Sequence, residues 1–324
     1  MLQDPPGATA VTSFSPIACL ALFVCAGAFA SAAEITIEES DNGAVVKIDG
    51  KLFTEYVKKS GTKPILWPII GPTGKAMTRS WPMNPDAPKT EKRDHPHHRS
   101  FWMTHGSVNG VDFWSEGDKA GSIVNRELTV LESQPPKIAA INDWQTRDGK
   151  KVCEEHQTIG FGADEARRWI DFTAVIEATE GPLTFGDTKE GAFGVRVAET
   201  MKVDAKLGGK IVNSEGQTDD KAWGKPAKWV DYHGPVEGET LGIAILDHPK
   251  NFRHPTPWHV RTYGLFAANP FGLHDFANGD KNIDGKHTIE KGHTLSFRYR
   301  VLLHKGNEKE GRIADAFEEF AKEK

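Results

Sequence analysis

Two stretches of this chain alternate apolar and polar residues along their whole length, a period of two that suits an extended strand with one buried face. In "RRWIDFTAVIEAT", Ile170, Phe172, Ala174, Ile176 and Ala178 share one face, while Trp169, Asp171, Thr173 and Glu177 share the other. "HTLSFRYRVLLHKG" repeats the pattern, with Leu295, Phe297, Tyr299, Val301 and Leu303 opposed to Ser296, Arg298, Arg300 and His304. Such strands cover a core on one side and leave the other side partly polar, as in two packed antiparallel sheets.

The rest of the chain agrees with that reading. "EITIEESDNGAVVKIDGKLFTEYV" holds short alternating runs separated by Asp41-Asn42-Gly43 and Asp49-Gly50, turn signals that start a β-meander. Only "GRIADAFEEFAKEK" reads as helix, with Ile313, Phe317 and Phe320 at helical spacing, and it is expected to pack against a sheet edge. Two long segments rich in Pro and Gly, "WPIIGPTGKAMTRSWPMNPDAPKTEKRDHPHHR" and "HPKNFRHPTPWHVRTYGLFAANPFG", read as loops too polar for core strands. With no repeat and no linker in sight, the expected fold class is all-β: one large antiparallel β-sandwich over residues 34–324, with a short C-terminal helix.

Residues 14–30, "FSPIACLALFVCAGAFA", are apolar but short for a membrane span, and small residues follow them. Residues 1–33 are therefore expected to be a cleaved secretory signal, although no Lys or Arg precedes the apolar run, and the mature protein to be periplasmic or secreted with no membrane span. Cleavage removes Cys19 and Cys25 and leaves Cys153 alone, in a strand-like context that favours a buried structural thiol. The net charge is −5, from 40 basic and 45 acidic residues that are well mixed, so no basic stripe points to nucleic acid.

The chemistry concentrates in "DHPHHRSFWMTHGSVNGVDFW", which opens at Asp94. Pro96 opposes regular structure, so His95, His97 and His98 sit in a turn or extended loop where their rings can converge. Arg99, Trp102, His105, Asn109, Asp112 and Trp114 follow closely, and a later loop adds His254, Trp258 and His259 in a similar mixture. In "GDTKEGAFGVRVAET", Glu190 stands at a turn and Arg196 projects from the polar face of the next strand. These residues fit one polar cleft. His95, His97, His98 and Glu190 would be its acids and bases, and Arg99, Trp102, His105, Asn109, Asp112, Trp114, Arg196, His254, Trp258 and His259 would hold a small-molecule or oligosaccharide ligand. Two other readings stay open: the imidazoles could bind a divalent metal, although H-x-H-H matches no strong metal signature, or they could pin loops by hydrogen bonds. Walker, dinucleotide-binding and serine-elbow motifs are absent.

"DHPHHRSFWMTHGSVNGVDFW", "KEGAFGVRVAE" and "HTLSFRYRVLLHKG" together resemble the exported bacterial PmoA family over nearly all of the mature chain. The membrane methane monooxygenase subunit that shares the label has several spans, and copper chemistry on methane is not implied here. The resemblance implies a β-sandwich distantly similar to galactose-mutarotase-like carbohydrate proteins. In such sites His and an acidic residue move protons at the anomeric centre, which would assign His97 or His98 as acid and Glu190 as base. It thereby implies acid–base chemistry on a sugar, of epimerase, lyase or hydrolase type, with a non-catalytic glycan-binding module built on Trp102, Trp114 and Trp258 as the alternative.

Overall fold

A computed structural model describes residues 1–4, 6–7 and 33–323 of the chain. The expected signal segment, with Cys19 and Cys25, falls almost wholly outside the described residues. The fold described is that of the unit spanning residues 32–324.

In chain order the strands are β1 (Ile35–Ser40), β2 (Gly43–Ile48), β3 (Lys51–Ser60), β4 (Lys63–Leu66), β5 (Phe101–His105), β6 (Ser122–Leu131), β7 (Lys137–Gln145), β8 (Lys151–Ala163) and β9 (Arg167–Glu177). They continue as β10 (Leu183–Phe185), β11 (Gly191–Arg196), β12 (Lys210–Asn213), β13 (Trp229–Val236), β14 (Glu239–Asp247), β15 (Trp258–Val260), β16 (Leu265–Ala268), β17 (His287–Ile289) and β18 (Thr294–Lys305). The helices are α1 (Leu273–Phe276) and α2 (Ile313–Phe320). Two eight-stranded antiparallel sheets result, ordered β1-β2-β3-β4-β5-β11-β16-β15 and β12-β13-β14-β18-β9-β8-β7-β6, with β10 and β17 forming a small pair. The fold is all-β and the sheets are antiparallel throughout.

The two alternating stretches that define the fold are direct neighbours. β9 pairs with β18 so that Ile170 faces Val301, Phe172 faces Tyr299 and Ala174 faces Phe297, which merges their apolar faces into one surface. Against it lie Phe101 of β5 and Phe193 of β11, from the other sheet: Phe193 sits 5.0 Å from Phe172 and 4.6 Å from Tyr299, ring centre to ring centre. Cys153 is buried on β8, and burial pushes its thiol well above the ordinary range, the state of a structural cysteine.

Two expectations need correction. Helix α2 lies on the outer face of the second sheet and not at its edge: Ile313, Ala316, Phe317 and Phe320 pack on Trp229, Ala244, Leu246 and Leu302, and β14 and β18 are central strands. An eight-residue helix buries its apolar stripe more fully on a sheet face than on an edge. The second segment read as a loop also contains β15 and β16, whose seven residues are all buried. Prolines and glycines bracket these strands so closely that the polar flanks masked two short buried runs.

Candidate functional site

The alternation that buries one face of the first sheet sets the chemistry on its outer face. On β15, Trp258 and Val260 join the core while His259 points the other way; on β11, Phe193 and Val195 point in and Arg196 points out. Trp102 of β5 and Leu265 and Ala267 of β16 complete this outer floor. Gly194 makes room for the indole, because a Cβ there would stand 2.8 Å from Trp102.

Above the floor the backbone of the histidine loop is held by one buried side chain, Arg79. The guanidinium of Arg79 donates to the carbonyls of Lys92 (3.2 Å), Asp94 (2.9 Å), His95 (2.9 Å) and His98 (3.3 Å) and to the Asp94 carboxylate (2.9 Å). Burial lowers its pKa to about 10, so it stays charged at neutral pH. The loop passes through left-handed backbone at His95 (φ 47°), whose carbonyl Arg79 holds, and at Ser100 (φ 59°), whose hydroxyl donates to Thr78.

Arg196 also donates to Asp94 Oδ1 (3.0 Å) and to His98 Nδ1 (3.1 Å). A guanidinium has only donors, so Nδ1 of His98 must accept, and the proton of the neutral ring lies on Nε2. Burial, then the charges of its neighbours, holds His98 well below the usual imidazole range and keeps it neutral. Its ring stacks on Trp102 at 5.4 Å and on His95 at 4.8 Å, and His95 stacks in turn on Tyr263 at 5.1 Å.

These elements enclose a pocket of about 400 Å³, lined by His95, His97, His98, Asp112, Trp114, Ser115, Lys189, Glu190, His259, Arg261 and Tyr263. The first histidine loop, the turn after β5, the turn before β11 and the β15–β16 hairpin therefore meet at one place. Trp114 links them, with ring centres 5.5 Å from His98 and 6.4 Å from His259. Burial, followed by Lys63 and His95, lowers His97 to about 4, while burial, Arg261 and Lys189 lower His259 to about 3. The imidazoles of His97, His98 and His259 are thus neutral at neutral pH. Burial raises the Tyr263 hydroxyl above its ordinary range, which keeps it protonated. Three buried ring nitrogens of lining residues, His98 Nε2, Trp114 Nε1 and His259 Nδ1, have no hydrogen-bond partner among the described residues.

Other residues singled out from the sequence lie elsewhere or beneath. Trp102 and Arg196 are buried in the floor and shape the pocket from below. Arg99 forks onto Glu116 (2.7 Å to each oxygen), which also holds the buried Lys63 at 3.0 Å. His105 donates from Nε2 to the Gly186 carbonyl (2.8 Å) at the other end of β5. Asn109 closes a turn by bonding Pro182 and Thr184, and Trp258 is a core residue that donates to the Ala227 carbonyl at 2.9 Å. His254 bonds the buried Asp247 at 2.7 Å and stacks beside Phe317 of α2, away from the pocket lining. Asp112 lines the pocket, and its carboxylate caps the backbone of Trp114 and Ser115. Arg79, Lys189, Arg261 and Tyr263 were not singled out. For Arg261 and Tyr263 a signal existed, since His259, Arg261 and Tyr263 recur at every second position and so follow one face.

Among the described residues, metal-type ligand atoms gather at Glu154, His156 and Glu177 and at Asp231, His233 and Glu308, and not at the histidine loop. His98 has no lone pair to give at Nε2 in the tautomer that Arg196 imposes.

The fold and pocket define a class: a two-sheet antiparallel β protein with a neutral imidazole cluster on the outer face of one sheet. The chain belongs to the DUF6807 family, a family of unknown function, whose profile matches residues 43–318. No curated protein matches it. Among solved structures it is similar to a galactose mutarotase-like protein from Lactobacillus casei ATCC 334, at 10% identity and a TM-score of 0.33 over 83% of this chain and 100% of that one. A polysaccharide lyase gives 10% identity and 0.31 over 86% of this chain and 33% of that one. A 4-alpha-glucanotransferase from Thermococcus litoralis gives 8% and 0.32 over 85% and 40%. At TM-scores near 0.3, none of these likenesses decides what the pocket does.

Proposed function

We propose that this chain is an exported, carbohydrate-active enzyme that moves protons on a sugar bound in the His98–Trp114–His259 pocket, in a reaction of epimerase, lyase or hydrolase type. One observation carries the reading: three residues that line one pocket each keep a buried ring nitrogen that has no partner among the described residues. Folded proteins pair nearly all such groups, because each unpaired one costs about 1–3 kcal/mol. An oxygen-rich ligand would satisfy them once the rings turn toward it on binding. The pocket volume of about 400 Å³ suits one or two sugar rings.

The roles follow from protonation. His97 is neutral and serves as the base, Tyr263 keeps its proton and can return one, and Glu190 sits on the same wall beside Lys189. His98 and Trp114 act as fixed donors to substrate oxygens. A flat binding platform is the weaker reading, since Trp102, Trp114 and Trp258 are 1%, 2% and 0% exposed. The PmoA likeness, the secretory signal and a periplasmic or secreted location belong to the same proposal.

Trp114→Phe is the discriminating variant. It removes an N–H that has no partner among the described residues and trims a buried ring, so the melting temperature should fall by a few degrees with the fold retained, while affinity for the sugar that the wild type selects from a glycan library should fall about tenfold. Paired with it, His97→Gln should lower kcat about a hundredfold on that sugar. Saturable binding without turnover in the wild type would make the chain a glycan-binding module, and binding of no glycan at all would end the sugar reading.

A further inference from the structure

Around the pocket every carboxylate already has its match. Asp94 is held by Arg79 and Arg196, Glu116 by Lys63 and Arg99, Glu190 by Lys189, and Asp112 by the backbone and hydroxyl of its own turn. Arg261 lines the same pocket and is different. Among the described residues, its guanidinium makes no ion pair and no side-chain hydrogen bond. It lies instead over two aromatic rings, 5.7 Å from the centre of Trp223 and 5.6 Å from that of Tyr263.

This is an unusual way to keep an arginine beside a half-enclosed cavity. Ring contacts orient the planar fork and leave its N–H edges free, so little freedom remains to be lost when an acceptor arrives. The acceptor that matches a guanidinium edge with two parallel hydrogen bonds is a planar oxyanion, above all a carboxylate. Hydroxyl groups can be held by the neutral donors already present, His98 Nε2–H and Trp114 Nε1–H, and do not require a cation. The charge of Arg261 is felt inside the pocket, where it helps keep His259 unprotonated and so prevents that ring from taking the anion-binding role itself.

We propose that Arg261 receives the carboxylate of the ligand, and that the sugar bound in this pocket is a uronic acid unit, free or within an oligosaccharide. The inference rests on the sugar reading above and narrows it to acidic saccharides.

Isothermal titration of the full chain with D-glucuronate and D-galacturonate, beside D-glucose and D-galactose, tests it. The uronates should bind at least tenfold more tightly than their neutral parents. Arg261→Gln, its fold checked by thermal melting, should bring that ratio close to one, and Arg261→Lys should restore only part of it, because an ammonium keeps the charge and loses the fork. Neutral sugars binding as tightly as uronates, or a ratio unmoved by Arg261→Gln, would overturn the carboxylate role while leaving a sugar site in place. Binding of none of the four would overturn the inference together with the sugar reading beneath it.

Discussion

Arg196 donates to Nδ1 of His98 across 3.1 Å, and this contact decides what the most buried histidine of the loop can do. Because the guanidinium cannot accept, His98 is locked as the Nε2–H tautomer, a donor aimed away from Arg196. The strand that carries Arg196 belongs to the sheet floor, so the pocket's donor pattern is set by the fold and not by the loop alone.

Replacing Arg196 with Met should therefore change chemistry more than folding. Asp94 keeps Arg79 as a partner, which limits the destabilisation to about 1–3 kcal/mol. His98 should then populate both neutral tautomers, visible as a shift of its two ring nitrogens toward each other in ¹⁵N NMR spectra, and ligand affinity should drop about tenfold. Unchanged ring-nitrogen shifts in the variant would show that Arg196 does not set the tautomer.

Arg79 holds four backbone carbonyls and one carboxylate of the histidine loop with a side chain that is 0% exposed. Lys in its place has three donors and no fork, and would leave several buried carbonyls unpaired. Arg79→Lys should cost about 2–4 kcal/mol and open the loop to protease between residues 92 and 98 before the sheets melt. Cleavage at the wild-type rate, with an unchanged melting temperature, would mean the loop is held by its ring stacking instead.

Much of this was legible in the chain. The alternation at 170–178 and 295–303 marked the two central strands, and their apolar residues face one another in the paired register. The histidine loop announced itself by composition. What the sequence concealed was long-range. Arg79 looks like any loop arginine, and its partners lie 13 to 19 residues away, on a turn whose shape the pattern does not encode. His254 and His259 stand five positions apart in similar surroundings, yet one pins Asp247 beside α2 and the other lines the pocket, because His254 lies in the turn before β15 and His259 on that strand, opposite the core-facing Trp258 and Val260.

The pH response follows from burial of the imidazoles. His97 and His105 are lowered to about 4 and His259 to about 3, each chiefly by burial, and His98 lies well below the usual range for the same reason. Unfolded histidine titrates near ~6.5. Between that value and the folded ones the unfolded chain binds protons that the folded chain refuses, so stability is fully present above pH ~6.5 and is lost as the pH falls toward 4 and 3. His304 runs the opposite way: burial opposes its charge, but Asp231, 2.6 Å away, with the Lys305 carbonyl and Glu308, raises it overall, so its contribution is present below pH ~6.5 and is lost as the pH rises through its raised folded value. With His248 and His287 also lowered, chiefly by burial, six lowered histidines against one raised give a melting temperature that drops steeply between pH ~6.5 and 4 and only slightly on the alkaline side. If His97 is the base, the acid limb of kcat/KM falls near pH 4, well below the value for a free imidazole. Melts and initial rates across pH 3.5 to 8 check both at once, a range set by the ~6.5 reference and the lowered values. A flat melting profile would contradict the buried, neutral ring cluster, and an acid limb near ~6.5 would take the base role from His97 and give it to a group in ordinary contact with water.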